Sequence, residues 1–357
     1  MSVSAVTGQT ARETTLETAQ GSAEESARWL PWRSAMQLAL YGPNGFYSAE
    51  RPAAHFRTSL HASPAFATAV ARLVDEVTRQ LGGRDRIDVV DVGSGTGELL
   101  VALAGLVPAR VRLIGVELGA RPAGLPERIG WRRELPRTIR GLLIANEWLD
   151  NVPLDIVELD GNGRARLVLV DTRTGDERPG RPVSRAGAAW LHRHWPLEGM
   201  DEGTRAEVGL TRDAAWTRAV TRMHSGLAIA VDYHHDRDDR PPFGTLTGFR
   251  RGREVQPVPD GTCDITAHVA LDACAAEVMS RHGDLSTVLR PQRDVLLGLG
   301  VRGALPPRAD ASVDPAGYVR ALAQASAAST LIAAGGLGGF GWLAHARGMS
   351  LPPALAG

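Results

Sequence analysis

The segment Ile87-Asp-Val-Val-Asp-Val-Gly-Ser-Gly-Thr-Gly97 constrains this chain more than any other. A strand-like stretch rich in Val and Ile carries an acid, Asp91, next to its end, turns on glycines, and leads directly into a helical stretch that reaches Leu106. A second such stretch, Val111 to Val116, follows, so the unit reads strand, tight turn, helix, strand. Two strands joined through a helix lie parallel, and a parallel sheet needs cover on both faces. Gly141 to Ala145 and Gly226 to Tyr233 read as further buried strands, and Arg212 to His224 as a helix. The pattern predicts an α/β chain with a Rossmann-like, doubly wound sheet.

The glycines say what the turn is for. They let a backbone approach a ligand closely, and the helix behind them offers free N–H groups. A phosphate-cradling loop of the Gly-Lys-Ser/Thr type is excluded, because the chain has no lysine among its 40 basic residues. A dinucleotide fingerprint wants G-x-G-x-x-G, whereas this is G-x-G-x-G with Glu98 at the third glycine's place. The remaining reading is S-adenosyl-L-methionine (SAM). Its sulfonium and ammonium are cations, so an acid beside the loop is welcome. Asp91 supplies that acid, and Gly93, Ser94, Gly95 and Gly97 form the loop. Glu117 ends the second strand, where an acid accepts ribose hydroxyls.

The strand Gly141 to Ala145 runs into "IANEWLDNVP" (Ile144 to Pro153), with Asn146, Glu147 and Asp150 within five residues. Desolvating even one carboxylate is costly. Ligands of open α/β sheets sit outside the carboxyl ends of the strands, so this cluster is expected to face the cofactor. Carboxylates there could hold a cationic acceptor or take its proton, and methyl transfer otherwise depends on alignment and exclusion of water. Capping of the following turn is the competing role for Glu147 and Asp150.

Composition removes other classes. Net charge is zero and no polybasic run occurs, which argues against nucleic acid and against a membrane surface. Two cysteines, Cys263 and Cys274, make no disulfide framework, and no Cys/His set has zinc spacing, so no metal is expected. His234-His235-Asp236 reads as a polar turn. The apolar stretch Leu331 to Ala346 is short and broken by glycines, so no membrane span is expected and a cytoplasmic setting follows.

Residues 1–28 lack aromatic residues and read as a disordered tail. Residues 29–83 are expected to form an N-terminal helical lid, with helices at Ser34 to Leu40 and Pro64 to Leu81 around the turn Tyr41-Gly-Pro-Asn-Gly45. Residues 84–357 form the catalytic domain, with a substrate region inserted at about 154–205. This region reads as a hairpin, Leu154 to Val170 around Asp160-Gly-Asn-Gly163, then an irregular Arg-, Gly- and Pro-rich stretch from 171 to 205. Beyond Pro241 two or three helices and a Gly-rich C-terminal segment are expected.

"IANEWLDNVP" resembles the "aNE-hydrophobic-hydrophobic-D-alanine-x-P" signature of the MidA methyltransferase family. "MQLALYGPNGFYS" (36–48), "FRTSLHASPAFATAVARLV" (56–74), the "AEV…VDYHH" stretch within 203–235, "FGTLTGFRRG" (243–252), "DGTCDITAHVAL" (260–271), "LRPQRDVLLGLGV" (289–301) and "GGFGWLAHARG" (338–348) are similar to further family segments in the same order. The resemblance implies a class I methyltransferase sheet and SAM contacts from Gly93, Gly95, Gly97 and Glu117. It also implies a lid of Tyr41, Gly45, Tyr47, Phe56 and Thr58, with Thr58 at the cofactor. Asn146, Glu147 and Asp150 would form a catalytic floor, and Glu207, Asp232 and Tyr233 would lie near the acceptor. Asp264, Thr266 and His268 match the "DiTaHV" block, where Asp264 could equally cap a helix.

The family's mitochondrial member methylates an arginine during respiratory complex I assembly, so the resemblance implies a protein arginine acceptor and a protein partner. The sequence departs from the pattern at Ala54-His55, Leu60-His61, Asp91, His234 and near Gly252. Most of these lie on the acceptor side, which keeps open a small-molecule O- or N-methyltransferase and a SAM-binding assembly factor without turnover. A nicotinamide dehydrogenase is opposed by the glycine spacing. Oligomeric state is not encoded in any motif.

Overall fold

The computed structural model describes residues 28–49, 64–83 and 86–356. The expected tail before Arg28, together with Phe56 and Thr58, lies outside them. Strand β1 (Trp29–Pro31), helix α1 (Trp32–Tyr41) and α2 (Phe46–Ala49) come first, followed by α3 (Pro64–Gln80). Next are β2 (Ile87–Val92), α4 (Glu98–Ala104), β3 (Val111–Val116), β4 (Ile129–Arg132) and β5 (Ile139–Asn146). Strands β6 (Asp155–Leu159), β7 (Ala165–Asp171) and β8 (Glu177–Pro182), helix α5 (Arg185–His194) and β9 (Arg205–Val208) follow. The chain returns through α6 (Leu210–Val220) and β10 (Met223–Asp232). It ends with β11 (Thr247–Arg250), β12 (Arg253–Val255), β13 (Asp264–Thr266), α7 (Leu271–Arg281), β14 (Ser286–Pro291), α8 (Gln292–Gly298), α9 (Pro315–Leu331) and β15 (Gly341–Arg347).

The main sheet runs β14-β15-β10-β5-β2-β3-β4. Strands β4, β3, β2, β5 and β10 are mutually parallel, whereas β15 runs antiparallel between β10 and β14. From β2 the chain winds outward through β3 and β4, then crosses back to β5 on the other side of β2. That reversal opens a crevice at the carboxyl ends of β2 and β5.

Alternation along β5 sends successive side chains to opposite faces. Leu142 and Ile144 meet Phe66, Val70 and Leu73 of α3 and Leu100 of α4 on one face. Leu143 and Ala145 meet Trp216 of α6 and Val278 of α7 on the other. Each large apolar side chain so buried contributes roughly 2 kcal/mol. With both faces covered, the parallel strands are mostly apolar, which is why β2 and β5 read so plainly despite Asp88, Asp91 and Arg140.

The second sheet runs β1-β7-β6-β9, with β8 paired to β7. One face carries α1 through Trp32, Met36 and Leu40, and the other carries α5 through Trp190 and Leu191. A small third sheet, β12-β11-β13, completes the fold. Among the described residues no helix is long and apolar enough to cross a membrane.

Four expectations change. The stretch from 171 to 205 is not irregular but holds β8 and α5; β8 is an edge strand, where Pro179 and Pro182 are tolerated because one side of the ladder is free. The Gly-rich C-terminal segment contains β15, which lies inside the main sheet, and β14 joins it as an edge. Gly341 is small there because a Cβ would meet Leu271 Cδ1 at 2.6 Å and His234 Cγ at 2.8 Å. Pro64–Gln80 packs on the main sheet and not beside α1, so the segment 29–83 is no single helical unit, and its first residues form a strand. Finally, α6 ends at Val220 and His224 already belongs to β10.

Candidate active site

The glycine loop leaves β2 at the crevice. Gly93, Gly95 and Gly97 all have left-handed φ, at 71°, 56° and 87°. Their surroundings differ. A Cβ on Gly93 would strike Trp148 Cδ1 at 2.6 Å, and one on Gly97 would strike Leu125 Cδ1 at 2.8 Å. A Cβ on Gly95 would meet nothing closer than Glu98 Oε2 at 4.0 Å, so Gly95 alone of the three faces open space. Its N–H donates to Glu117 Oε2 at 3.1 Å, and the other Glu117 oxygen accepts the N–H of Leu118 (2.6 Å) and Gly119 (3.2 Å). The carboxylate at the end of β3 is thereby held beside the loop.

Asp91 is 4% exposed at the end of β2. Burial pushes its carboxyl up to about 7, with Ser94 opposing and Glu117 and Glu98 adding to the rise. The Ser94 hydroxyl also ties the loop down by donating to the Asp91 carbonyl at 2.8 Å. An open glycine cradle, a fixed acid at β3 and a buried acid awaiting a cation together suit SAM.

The polar strand end closes the crevice from β5. Asn146 Nδ2 donates to Glu147 Oε1 at 3.1 Å. Glu147 sits at φ 50°, a left-handed conformation that costs a non-glycine residue about 1 kcal/mol, and its N–H is anchored on Val231 O at 2.8 Å. Asp150, 6% exposed, accepts the Thr266 hydroxyl on Oδ2 at 2.9 Å. Asp232 Oδ2 accepts the N–H of Leu149 and Asp150. Among the described residues three buried oxygens here, Asn146 Oδ1, Asp150 Oδ1 and Asp232 Oδ1, have no hydrogen-bond donor. Burial raises the carboxyls of both Asp150 and Asp232, and Asp150 raises Asp232 further.

Other predicted residues take varied places. Tyr41 and Tyr47, with ring centroids 5.4 Å apart, reach over from α1 and α2: Tyr41 donates to Asn151 O (3.2 Å) and Tyr47 to Asp264 Oδ1 (3.0 Å). Asp264 opens β13 and caps no helix; burial and then Asp150 push it up to about 7. Tyr233 stacks on His268 at 5.4 Å and leans on Phe340 at 4.0 Å. Glu207 accepts Thr245 N–H at 2.5 Å and the Thr245 hydroxyl at 3.0 Å. Burial alone would raise its carboxyl, but His235 and Thr245 hold it below the usual range. His235 Nδ1 faces Arg240 at 2.7 Å, so the polar turn is a packed junction, and among the described residues no His, Cys, Asp and Glu cluster could hold a metal.

A family profile of S-adenosyl-L-methionine-dependent methyltransferases matches residues 110–287, the span from β3 through β14. Two solved structures resemble the chain along most of its length. A COG1565 superfamily member from Burkholderia thailandensis, bound to S-adenosyl-homocysteine, is 25% identical with a TM-score of 0.77, covering 96% of this chain and 94% of that one. The chain is a SAM-dependent methyltransferase. A native structure of a COG1565 superfamily protein from the same organism is 26% identical with a TM-score of 0.75, again covering 96% and 94%. None of the curated proteins matches the chain.

The methyltransferase therefore uses SAM, and its class I sheet is the expected one. Asn151, Arg212 and Thr245 hold the site together; all three lie inside segments that resemble the family, yet none stands out in the sequence as a site residue. Arg212 stands between Thr211 and Asp213 near the start of a helix, and an arginine in such polar company reads as solvent-facing.

Proposed function

We propose that the methyltransferase acts on an arginine side chain of a protein, a subunit of respiratory complex I being the first candidate by family resemblance. The observation that carries the reading is the trio of donor-less oxygens on Asn146 and Asp232, at the ends of adjacent strands, and on Asp150 in the turn after β5, beside Glu147. A guanidinium brings five N–H donors in a planar fork and stays charged, so it meets both the hydrogen-bond and the charge deficit.

Bound SAM supplies an electrophilic methyl whose departing thioether takes the carbon–sulfur electron pair. Glu147 and Asp150 pair with the guanidinium, draw its charge away from the attacking nitrogen, and one of them accepts the proton released as the new N–C bond forms. Burial raises the Asp150 carboxyl, so its anion is a stronger base than a solvated aspartate. Tyr41, Tyr47 and Tyr233 wall the crevice and restrict water. A cytoplasmic setting completes the reading, supported by two buried free cysteines.

A second reading, a small-molecule O- or N-acceptor, is favoured by the Tyr233–His268 stack, which offers a flat aromatic wall. Labelled SAM presented with an arginine-peptide array and, separately, with a metabolite extract distinguishes the two. Peptide labelling that disappears in Glu147→Gln, with SAM affinity retained, supports the arginine reading. Labelling confined to metabolites rejects it.

A further inference from the structure

Arg212, near the start of α6, is 2% exposed. Burying a guanidinium costs several kcal/mol unless its donors and its charge are both matched. The donors are matched on backbone carbonyls: Nε on Val152 O at 3.2 Å, Nη1 on His268 O at 2.6 Å and Nη2 on Asp150 O at 2.5 Å. Those carbonyls belong to two segments, the loop after β5 and the stretch leaving β13. The same two segments meet again at Asp150, through the Thr266 hydroxyl on Oδ2 at 2.9 Å and the Ala267 N–H on the Asp150 carbonyl at 3.2 Å. One planar fork thus closes the frame around the acid.

The charge is matched more diffusely. Asp150, Asp232 and Glu207 all stabilise the buried cation. Asp150 in turn is faced by Asp232 from β10, Asp264 from β13, Tyr41 and Tyr47 from α1 and α2, and Tyr233 beyond β10. Burial disfavours a carboxylate at Asp150, and the neighbouring acids Asp232 and Asp264 compete with it for charge, while the three phenols stay neutral. Arg212 and the Thr266 hydroxyl oppose them.

We propose that Arg212 is the positioning residue of the acceptor wall: its guanidinium fixes the loop bearing Glu147 and Asp150 and supplies the positive charge that lets Asp150 serve as an anion there. The two tasks separate chemically. Lysine keeps a point charge but cannot span three carbonyls in a plane, and glutamine keeps neither the charge nor the fork. The proposal rests on the assignment of Asp150 to the acceptor wall, but its test needs no acceptor and stands if arginine is not the substrate.

The full-length chain is labelled with aspartate carrying carbon-13 at the carboxyl, the Asp150 signal being assigned by its loss in Asp150→Asn. Titration by NMR is compared with hydrogen exchange at the Leu149 and Asp150 amides. In Arg212→Gln the Asp150 midpoint moves upward and both amides exchange roughly tenfold faster. In Arg212→Lys the midpoint stays where the wild type has it, while the amides still exchange roughly tenfold faster. An unmoved midpoint in Arg212→Gln, or unchanged exchange in both variants, overturns the proposal. If Arg212→Gln does not fold, Arg212→Lys decides, its midpoint having to hold while exchange quickens. If neither folds, Arg212 is a folding element and the proposal is equally overturned.

Discussion

Asp232 closes the turn after β5 from the neighbouring strand: a single carboxylate oxygen accepts the backbone N–H of Leu149 at 2.9 Å and of Asp150 at 3.2 Å. The turn carrying the acceptor wall is therefore held in part from β10, by an acid 82 residues away from Asp150. Asp232→Ala strands two buried donors, each worth about 1–3 kcal/mol. Urea unfolding should show a loss of about 2–6 kcal/mol, whereas Asp232→Asn, which keeps an acceptor oxygen, should lose less than half of that. Equal losses in the two variants would refute the bridging role.

Replacing Gly95 with alanine should separate binding from folding. Its Cβ would meet nothing within the protein closer than 4.0 Å, so the fold loses only about 1 kcal/mol to the left-handed backbone. S-adenosylhomocysteine affinity measured by calorimetry should fall more than about tenfold, since the methyl group enters the face the ligand needs. Gly93→Ala, which drives into Trp148, should instead lower the melting temperature more than Gly95→Ala does.

Cofactor binding should release a proton near neutrality. Burial holds Asp91 at about 7, and the cationic groups of SAM favour its ionised form, so binding lowers that value. Affinity therefore rises as pH climbs from 6 towards 8, by at most about tenfold per unit. Calorimetry in buffers of different ionisation enthalpy at pH 6.5 measures the proton directly. Asp91→Asn should remove the buffer dependence.

Two buried groups pull stability in opposite directions with pH. Asp264, raised to about 7 in the fold against about 3.9 unfolded, favours the folded chain in its protonated form. That contribution is complete below pH 4 and is lost as pH rises to about 7. His345 is lowered to about 4 by burial, its Nε2 accepting from Trp216 Nε1 at 3.0 Å. Its contribution is complete above about 6.5 and is lost as pH falls towards 4. Melting curves from pH 4 to 8 should show Asp264→Asn gaining on the wild type at the alkaline end. His345→Gln should flatten the acid limb; parallel curves for all three proteins would contradict both assignments.

Glu147 trades stability for its position. Glycine relieves the φ of 50°, so Glu147→Gly should gain up to about 1 kcal/mol in unfolding free energy while abolishing methyl transfer to any acceptor the wild type uses. A destabilised Glu147→Gly would show that the side chain braces the loop instead.

The parallel half of the main sheet was legible because both of its faces are covered, which leaves apolar runs such as Val111–Val116, broken only by Arg112, and Gly141–Ala145. The glycine loop was legible for a local reason, since three left-handed glycines and two acids at strand ends lie within 27 residues of one another. β15 and β14 were hidden. An antiparallel strand that begins with the glycine demanded by His234 and Leu271 looks like a loop until its neighbours are known. β8 was hidden by the prolines an edge can carry.

At the site, the chain alone marked Asp91, Glu117, Asn146, Glu147 and Asp150, because each stands at the carboxyl end of a strand that its own neighbours define. What holds them was decided only in three dimensions. Arg212 lies 62 residues from the Asp150 carbonyl it grips, and Asp232 lies 83 residues from the Leu149 amide it accepts. Glu207, placed with the acceptor by family resemblance, turned out to be taken by Thr245. Strand ends are set by local periodicity, which a sequence carries residue by residue. The partners of a buried charge are set by which segments the fold packs together, and no spacing along the chain records that.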